Sequence, residues 1–130
     1  MAGTFELSTD LDHAVVVPVN IPTGGVTEGE VLAWGADGLY GFVMATAALT
    51  TQINTLPSTE QYSLVIQADQ VTANKDSASI DQGSLVYWTG TAISETQSTG
   101  AVLVGYCLKA AAAAATTVEI YWNGAWPALV

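Results

Sequence analysis

The chain has 130 residues, half of them hydrophobic, and sets twelve acidic side chains against two lysines and no arginine, for a net charge of −10. Such a chain repels phosphate backbones and has no basic patch for counterion release, which argues against direct nucleic-acid binding. Neither "AVVVPV" nor the longer apolar run Ala101–Ala115, which Lys109 interrupts, is long enough to cross a membrane.

Length and composition fit one domain, rich in Gly, Thr, Ser, Val and Ala, which suits strands joined by many turns. Cys107 is the single cysteine, so no intrachain disulfide forms, and its apolar neighbours suit a buried small hydrophobe. The N-terminal segment has no Lys or Arg, so a signal peptide is not expected; synthesis in the cytoplasm is.

In chain order, Met1–His13 ("MAGTFELSTDLDH") reads as a polar arm with a few apolar anchors. "AVVVPVNIP" is a short apolar strand that Pro18 and Pro22 confine to an edge or a strand end. After the turn cluster "PTGGVTEGE", Val31–Trp34 and Leu39–Met44 read as strands around "GADG". Ala45–Asn54 fits one or two helical turns, bounded by Pro57. Tyr62–Ala68 ("YSLVIQA") is the cleanest central strand, and "TANKDSAS" reads as a polar loop or a loose short strand. Leu85–Trp88 and Ala101–Leu108 are strands, as is Thr117–Trp122, with Val118, Ile120 and Trp122 on one face. The tail "NGAWPALV" opens with a turn.

An internal repeat organises these elements. "VTEGEVLAW" (Val26–Trp34) aligns without a gap on "IDQGSLVYW" (Ile80–Trp88), pairing Gly29 with Gly83 and Trp34 with Trp88. Each copy continues to a Gly-aromatic strand, "GFVM" at Gly41 and "GYCL" at Gly105, then an alanine-rich stretch, then another strand. The paired glycines suit turns that need positive φ, and the paired tryptophans suit strand ends closing a core from two sides. The expected fold is therefore all-β: a small barrel or sandwich of two related halves, with short helical turns in the connectors and extended terminal segments. Three segments follow: an arm over 1–13, a domain over 14–124 and a tail over 125–130. Ala110–Ala115 is too short for a stable helix of its own and reads as a compact connector of one helical turn.

Residues for catalysis are sparse. There is no P-loop, no G-x-S-x-G elbow and no zinc-spaced cluster, and the chain has one His. Asp10, Asp12 and His13 could hold a metal ion, but they lie in the polar arm, where solvated charges are the simpler reading; no EF-hand pattern occurs. Glu28 and Glu30 are read as surface charges, and without Arg the chain lacks the bidentate clamp for anionic substrates. No catalytic residue, cofactor or metal is expected. The four tryptophans and five tyrosines fit core or interface packing, with sugar stacking as the rival. Trp126, beside Pro127 in a short tail, reads as an interface anchor.

"GSLVYWTGTAISETQSTGAVLVGYCLKAAAAAATTVEIYWNG" resembles the C-terminal half of the tailed-phage capsid decoration, or cement, proteins, some of which carry the label of phage recombinase. The family pattern G-x-x-V-Y-W falls on Gly83, Val86, Tyr87 and Trp88. Its glycine strand falls on Gly105, its alanine connector on Ala110–Thr117 and its final strand on Val118–Trp122. "PTGGVTEGEVLAWGADGLYGFVM" is similar to the first half and "YSLVIQADQV" to the central strand, so the likeness spans roughly residues 14–124. Alanine stands where the family commonly has glycine in the connector, "LTTQINTLPSTEQ" is longer than usual, and "AWPALV" is not typical. The recombinase label has no support in an acidic chain without a nucleotide-binding loop.

The resemblance implies a non-enzymatic virion protein on the capsid exterior, bound to the major capsid protein and to copies of itself, often as a trimer. The expected capsid or subunit contacts are Phe5, Leu7 and Leu11 in the arm and Trp126, Pro127 and Leu129 in the tail. Removing residues 1–12 is then expected to leave a folded chain that binds capsids weakly. The alternative is a carbohydrate- or receptor-binding module of the virion.

Overall fold

A computed structural model describes residues 5–8, 13–20, 26–27, 29–34, 39–43, 52–53 and 61–124. Eleven strands run through them: β1 (Phe5–Leu7), β2 (Ala14–Asn20), β3 (Val26–Thr27), β4 (Val31–Trp34), β5 (Leu39–Val43), β6 (Gln52–Ile53), β7 (Gln61–Asn74), β8 (Leu85–Trp88), β9 (Ile93–Ser94), β10 (Val102–Lys109) and β11 (Thr117–Asn123). The described residues form no α-helix. The fold is all-β, as the composition implies, and its main sheet curls into a half-barrel.

The spine is β7, fourteen residues long and twice the expected central strand. Its extension has a physical origin in alternation. Val71 and Ala73 point into the core while Thr72 and Asn74 stay half-exposed, so the period of two continues into a polar stretch. Each edge of β7 serves two strands in succession. β2 pairs from Asn20↔Gln61 to Ala14↔Ala68 and β1 follows from Leu7↔Val71 to Phe5↔Ala73. On the other edge β5 pairs at Phe42↔Val65 and Val43↔Leu64, and β11 takes over from Asn123↔Gln67 to Thr117↔Asn74. The sheet then runs β11–β10–β8–β9, all antiparallel. It returns to its own spine where Lys75 bridges Ile93 and the Asp76 N–H donates to the Ile93 carbonyl at 3.0 Å. Among the described residues β2 pairs with β7 alone, the edge position that Pro18 requires.

The concave side holds an aromatic cluster. Phe5 lies 5.6 Å from Phe42, 5.4 Å from Trp88 and 5.2 Å from Trp122, the last two edge to face. Trp122 is fully buried, and its indole N–H donates to the Val65 carbonyl at 3.2 Å, so its one polar atom costs nothing inside. Val86, Val104, Cys107, Val118 and Ile120 complete the same core.

The two repeat units share a turn and a register. Gly29 has φ 86° and Gly83 has φ 83°, each just ahead of its strand, where an L side chain would be strained. In the first unit Leu32 pairs Gly41 and Val31 pairs Phe42; in the second Val86 pairs Gly105 and Leu85 pairs Tyr106. The sides differ. Val31 and Phe42 are buried, whereas Leu85 and Tyr106 face solvent. Gly105 also packs against the Tyr121 carbonyl so closely that a Cβ would overlap it, which fixes β10 tightly on β11.

Several expectations are revised. Phe5 and Leu7 are 0% and 6% exposed, so residues 5–7 are a core strand rather than part of a polar arm. Their apolar surface, expected to serve contacts with other proteins, is used inside the chain. Removing residues 1–12 therefore empties part of the core. The helical turn expected over Ala45–Asn54 falls outside the described residues except at Gln52–Ile53, which form β6 and pair with β3. Ala110–Ala115 is a connector, but not a helical one. Ala111 bridges Ile80, and the Ala115 N–H closes a turn on the Ala112 carbonyl at 3.0 Å. The buried Lys75 holds it there: its ammonium donates to the carbonyls of Asp76 (2.8 Å), Ala115 (3.1 Å) and Ala113 (3.4 Å).

Candidate functional site

Two reactive side chains among the described residues, Cys107 and Glu119, are committed to structure. Cys107 is 1% exposed and its thiol donates to the Lys109 carbonyl at 3.1 Å. Burial pushes its pKa up, and the charges of Glu95 and Asp81 push the same way, so the thiolate that chemistry would need is disfavoured. Glu119 is saturated: Ser8 Oγ (3.3 Å) and Gln70 Nε2 (2.8 Å) donate to one oxygen, and Thr72 Oγ1 donates to the other. That carboxylate ties β11 to β7 and to the end of β1. Among the described residues no group of three or more His, Cys, Asp or Glu side chains gathers to hold a metal, and no helix there is long and apolar enough to cross a membrane.

The surface is more informative. Alternation along β8, β10 and β11 sends Val86, Cys107 and Ile120 inward and Leu85, Tyr106 and Tyr121 outward. Leu85 pairs Tyr106, which pairs Tyr121, and the two tyrosine rings stack at 5.0 Å and 20°. The Gln67 side-chain amide donates to the Tyr121 hydroxyl at 2.6 Å, and Gln67 in turn pairs Val15 on β2. A row thus crosses five strands from Leu85 to Val15. It ends in a shallow hollow lined by His13, Ala14, Val15, Gln67 and Asp69. A second hollow, lined by Lys109, the alanine connector and Thr117–Glu119, lies at the far end of β10 and β11.

Of the expected contact residues, the structure buries Phe5 and Leu7 together, while Leu11, Trp126, Pro127 and Leu129 lie outside the described residues, as do Asp10 and Asp12. His13 is exposed beside Asp69. Trp88 and Trp122 are core residues, so neither offers a face to a sugar. Sequence reasoning missed the row. "LVYW" and "VLVGYCLK" are apolar at both parities, and which parity faces solvent is not written in them. The available signal was β11, where Thr117, Glu119 and Tyr121 alternate with Val118, Ile120 and Trp122 and so mark Tyr121 as outward.

Compared with known proteins, the chain matches the family model described as phage cement protein over residues 11–122. No curated protein and no solved structure matches it.

Proposed function

The chain belongs to the phage cement protein family, and from that premise we propose that it works on the outside of the shell, as a homo-oligomer seated on the major capsid protein and without catalysis. It is a structural virion protein whose task is to bind and stabilise a phage capsid. The observation that supports the exterior position is charge. At −10, the chain is repelled by packaged nucleic acid and gains nothing from the inner face of the shell. The assembly has the trimeric form common in such proteins. Leu11, Trp126, Pro127 and Leu129 serve as capsid or subunit contacts, whereas Phe5 and Leu7 act from within by holding β1 in place.

The mechanism is mechanical. A copy that bridges neighbouring capsid subunits buries surface on each, so separating them must also undo those contacts. Each bound copy favours the state it recognises by mass action, by about 2.7 kcal/mol when free protein is a hundredfold above its dissociation constant. A sheet with a fully packed aromatic centre transmits such a load without deforming. Electron microscopy of particles with and without the chain tests the reading. Extra density on the outer surface, with greater resistance to heat in decorated particles, is expected. Density inside the shell, or none, rejects it.

A further inference from the structure

We propose that the outward row Leu85–Tyr106–Tyr121–Gln67–Val15 is the surface that meets the shell, and that its occupant is a protein surface with an apolar centre and a basic rim. This rests on the capsid reading above and specifies which face carries it.

The large hydrophobic side chains exposed among the described residues are Val15 at 46%, Leu85 at 47% and Tyr106 at 38%, and all of them belong to this one row. Scattered apolar side chains are ordinary on a surface, but alignment of all of them across five neighbouring strands is not. At about 4.8 Å per strand the row extends roughly 19 Å, the span of the buried centre of a standard interface. Its middle is already ordered. The Tyr106–Tyr121 stack and the Gln67 hydrogen bond fix the rings before any partner arrives, so little side-chain entropy is left to lose on binding. Aromatic anchors of this kind carry most of the energy in interfaces.

Charge selects the occupant. The row ends beside the exposed Asp69, Glu119 stands two residues before Tyr121 on the same strand, and the row itself has no cation. Of the two lysines, Lys75 is buried on carbonyl oxygens, and Lys109 stands opposite Glu119 across β10 and β11, so those two charges offset each other and Asp69, with the net charge of −10, leaves this face acidic. A second copy seated on this row would set acid against acid, so the homo-oligomer is built on another face. Strand addition along the neighbouring β2 edge is disfavoured because Pro18 removes a donor there.

The test uses shells of the phage that encodes the chain, assembled without it, and the purified full-length chain. Binding is measured by co-sedimentation at low and high salt for the unsubstituted chain, Leu85→Ser, Tyr106→Ser and the double variant. Ser98→Ala, in the exposed loop before β10, is the control, and thermal unfolding confirms that each variant folds. Each row substitution is expected to weaken binding roughly tenfold or more while the control binds normally. Raised salt should weaken binding of the unsubstituted chain, as an acidic row on a basic rim requires. Undiminished binding by a folded double variant would overturn the row and leave the capsid reading standing. Failure of the unsubstituted chain to bind would overturn both. Self-association in sedimentation equilibrium that Tyr106→Ser abolishes would show the occupant to be a second copy and overturn the proposal.

Discussion

Val31 with Phe42 and Leu85 with Tyr106 are equivalent pairs in two units that share a glycine turn, a strand and a cross-strand register. The first pair is packed in the core; the second faces solvent. The difference separates two things that a duplicated sequence is often assumed to convey together. The turn and the register are local, set by a glycine at positive φ and by the length of chain to the next strand. The side that becomes the interior is not local. It depends on what the rest of the molecule lays over the sheet: β1 delivers Phe5 beside Phe42, while the second unit fills the core with Val86, Trp88, Val104 and Cys107 from the other parity. The freed face of the second unit is the row proposed to meet the shell.

The sharpest way to break this comparison is to truncate both pairs. Phe42→Ala removes a fully buried ring and should cost about 3–5 kcal/mol in denaturant unfolding, and Phe5→Ala or loss of residues 1–12 should cost a similar amount. Tyr106→Ala should cost about 1 kcal/mol or less, the worth of its stack on Tyr121. Equal losses from Phe42→Ala and Tyr106→Ala would mean that the two units bury the same face after all.

How much of this was legible follows from particular stretches. β11 was read correctly because "TVEIYW" alternates cleanly, and β2 was read as an edge because Pro18 lacks an N–H. The repeat located both glycine turns. "VLAW" and "LVYW" were not legible in the same way, being apolar at both parities, so nothing in them chooses a face. Phe5 and Leu7 were misplaced because a three-residue strand among polar neighbours carries too little pattern; its burial comes from partners on β7 more than sixty residues away in the chain. The alanine connector was read as small and compact, but its turn is imposed by the Lys75 ammonium, a long-range polar contact that no local propensity encodes.

That contact gives the next largest effect. The second unit's connector is held from outside the unit, so Lys75→Met should cost about 1–3 kcal/mol by leaving carbonyls without a donor in a half-closed site. Hydrogen exchange should show the loss first at Ala115, whose N–H closes the turn on Ala112. Normal protection there in the variant would mean that the alanines hold their own conformation.

The glycine turns test the part of the comparison that is conserved. Gly83→Ala meets open space, so its cost should be that of the backbone alone, about 1 kcal/mol. Gly29→Ala has nearly the same φ but stands buried, between the Phe5 N–H that its carbonyl accepts and the Val43 carbonyl that its own N–H reaches. Its cost should equal or exceed that of Gly83→Ala. A smaller loss at Gly29 than at Gly83 would refute a shared turn.

The smallest expected effect concerns Cys107, which sits on the inward parity of the second unit. Its folded pKa lies above that of the unfolded chain, chiefly through burial, so the native state holds the proton more tightly. The associated stability is complete below the unfolded thiol's ordinary value of about 8.5 and is lost as pH rises through the folded value. Unfolding free energy should therefore decline as pH rises above about 8.5, and Cys107→Ala should flatten that decline. In the same window a thiol reagent should label the unfolded chain quickly and the folded chain slowly. Rapid labelling of the folded chain would show that Cys107 does not lie on the inward parity of β10.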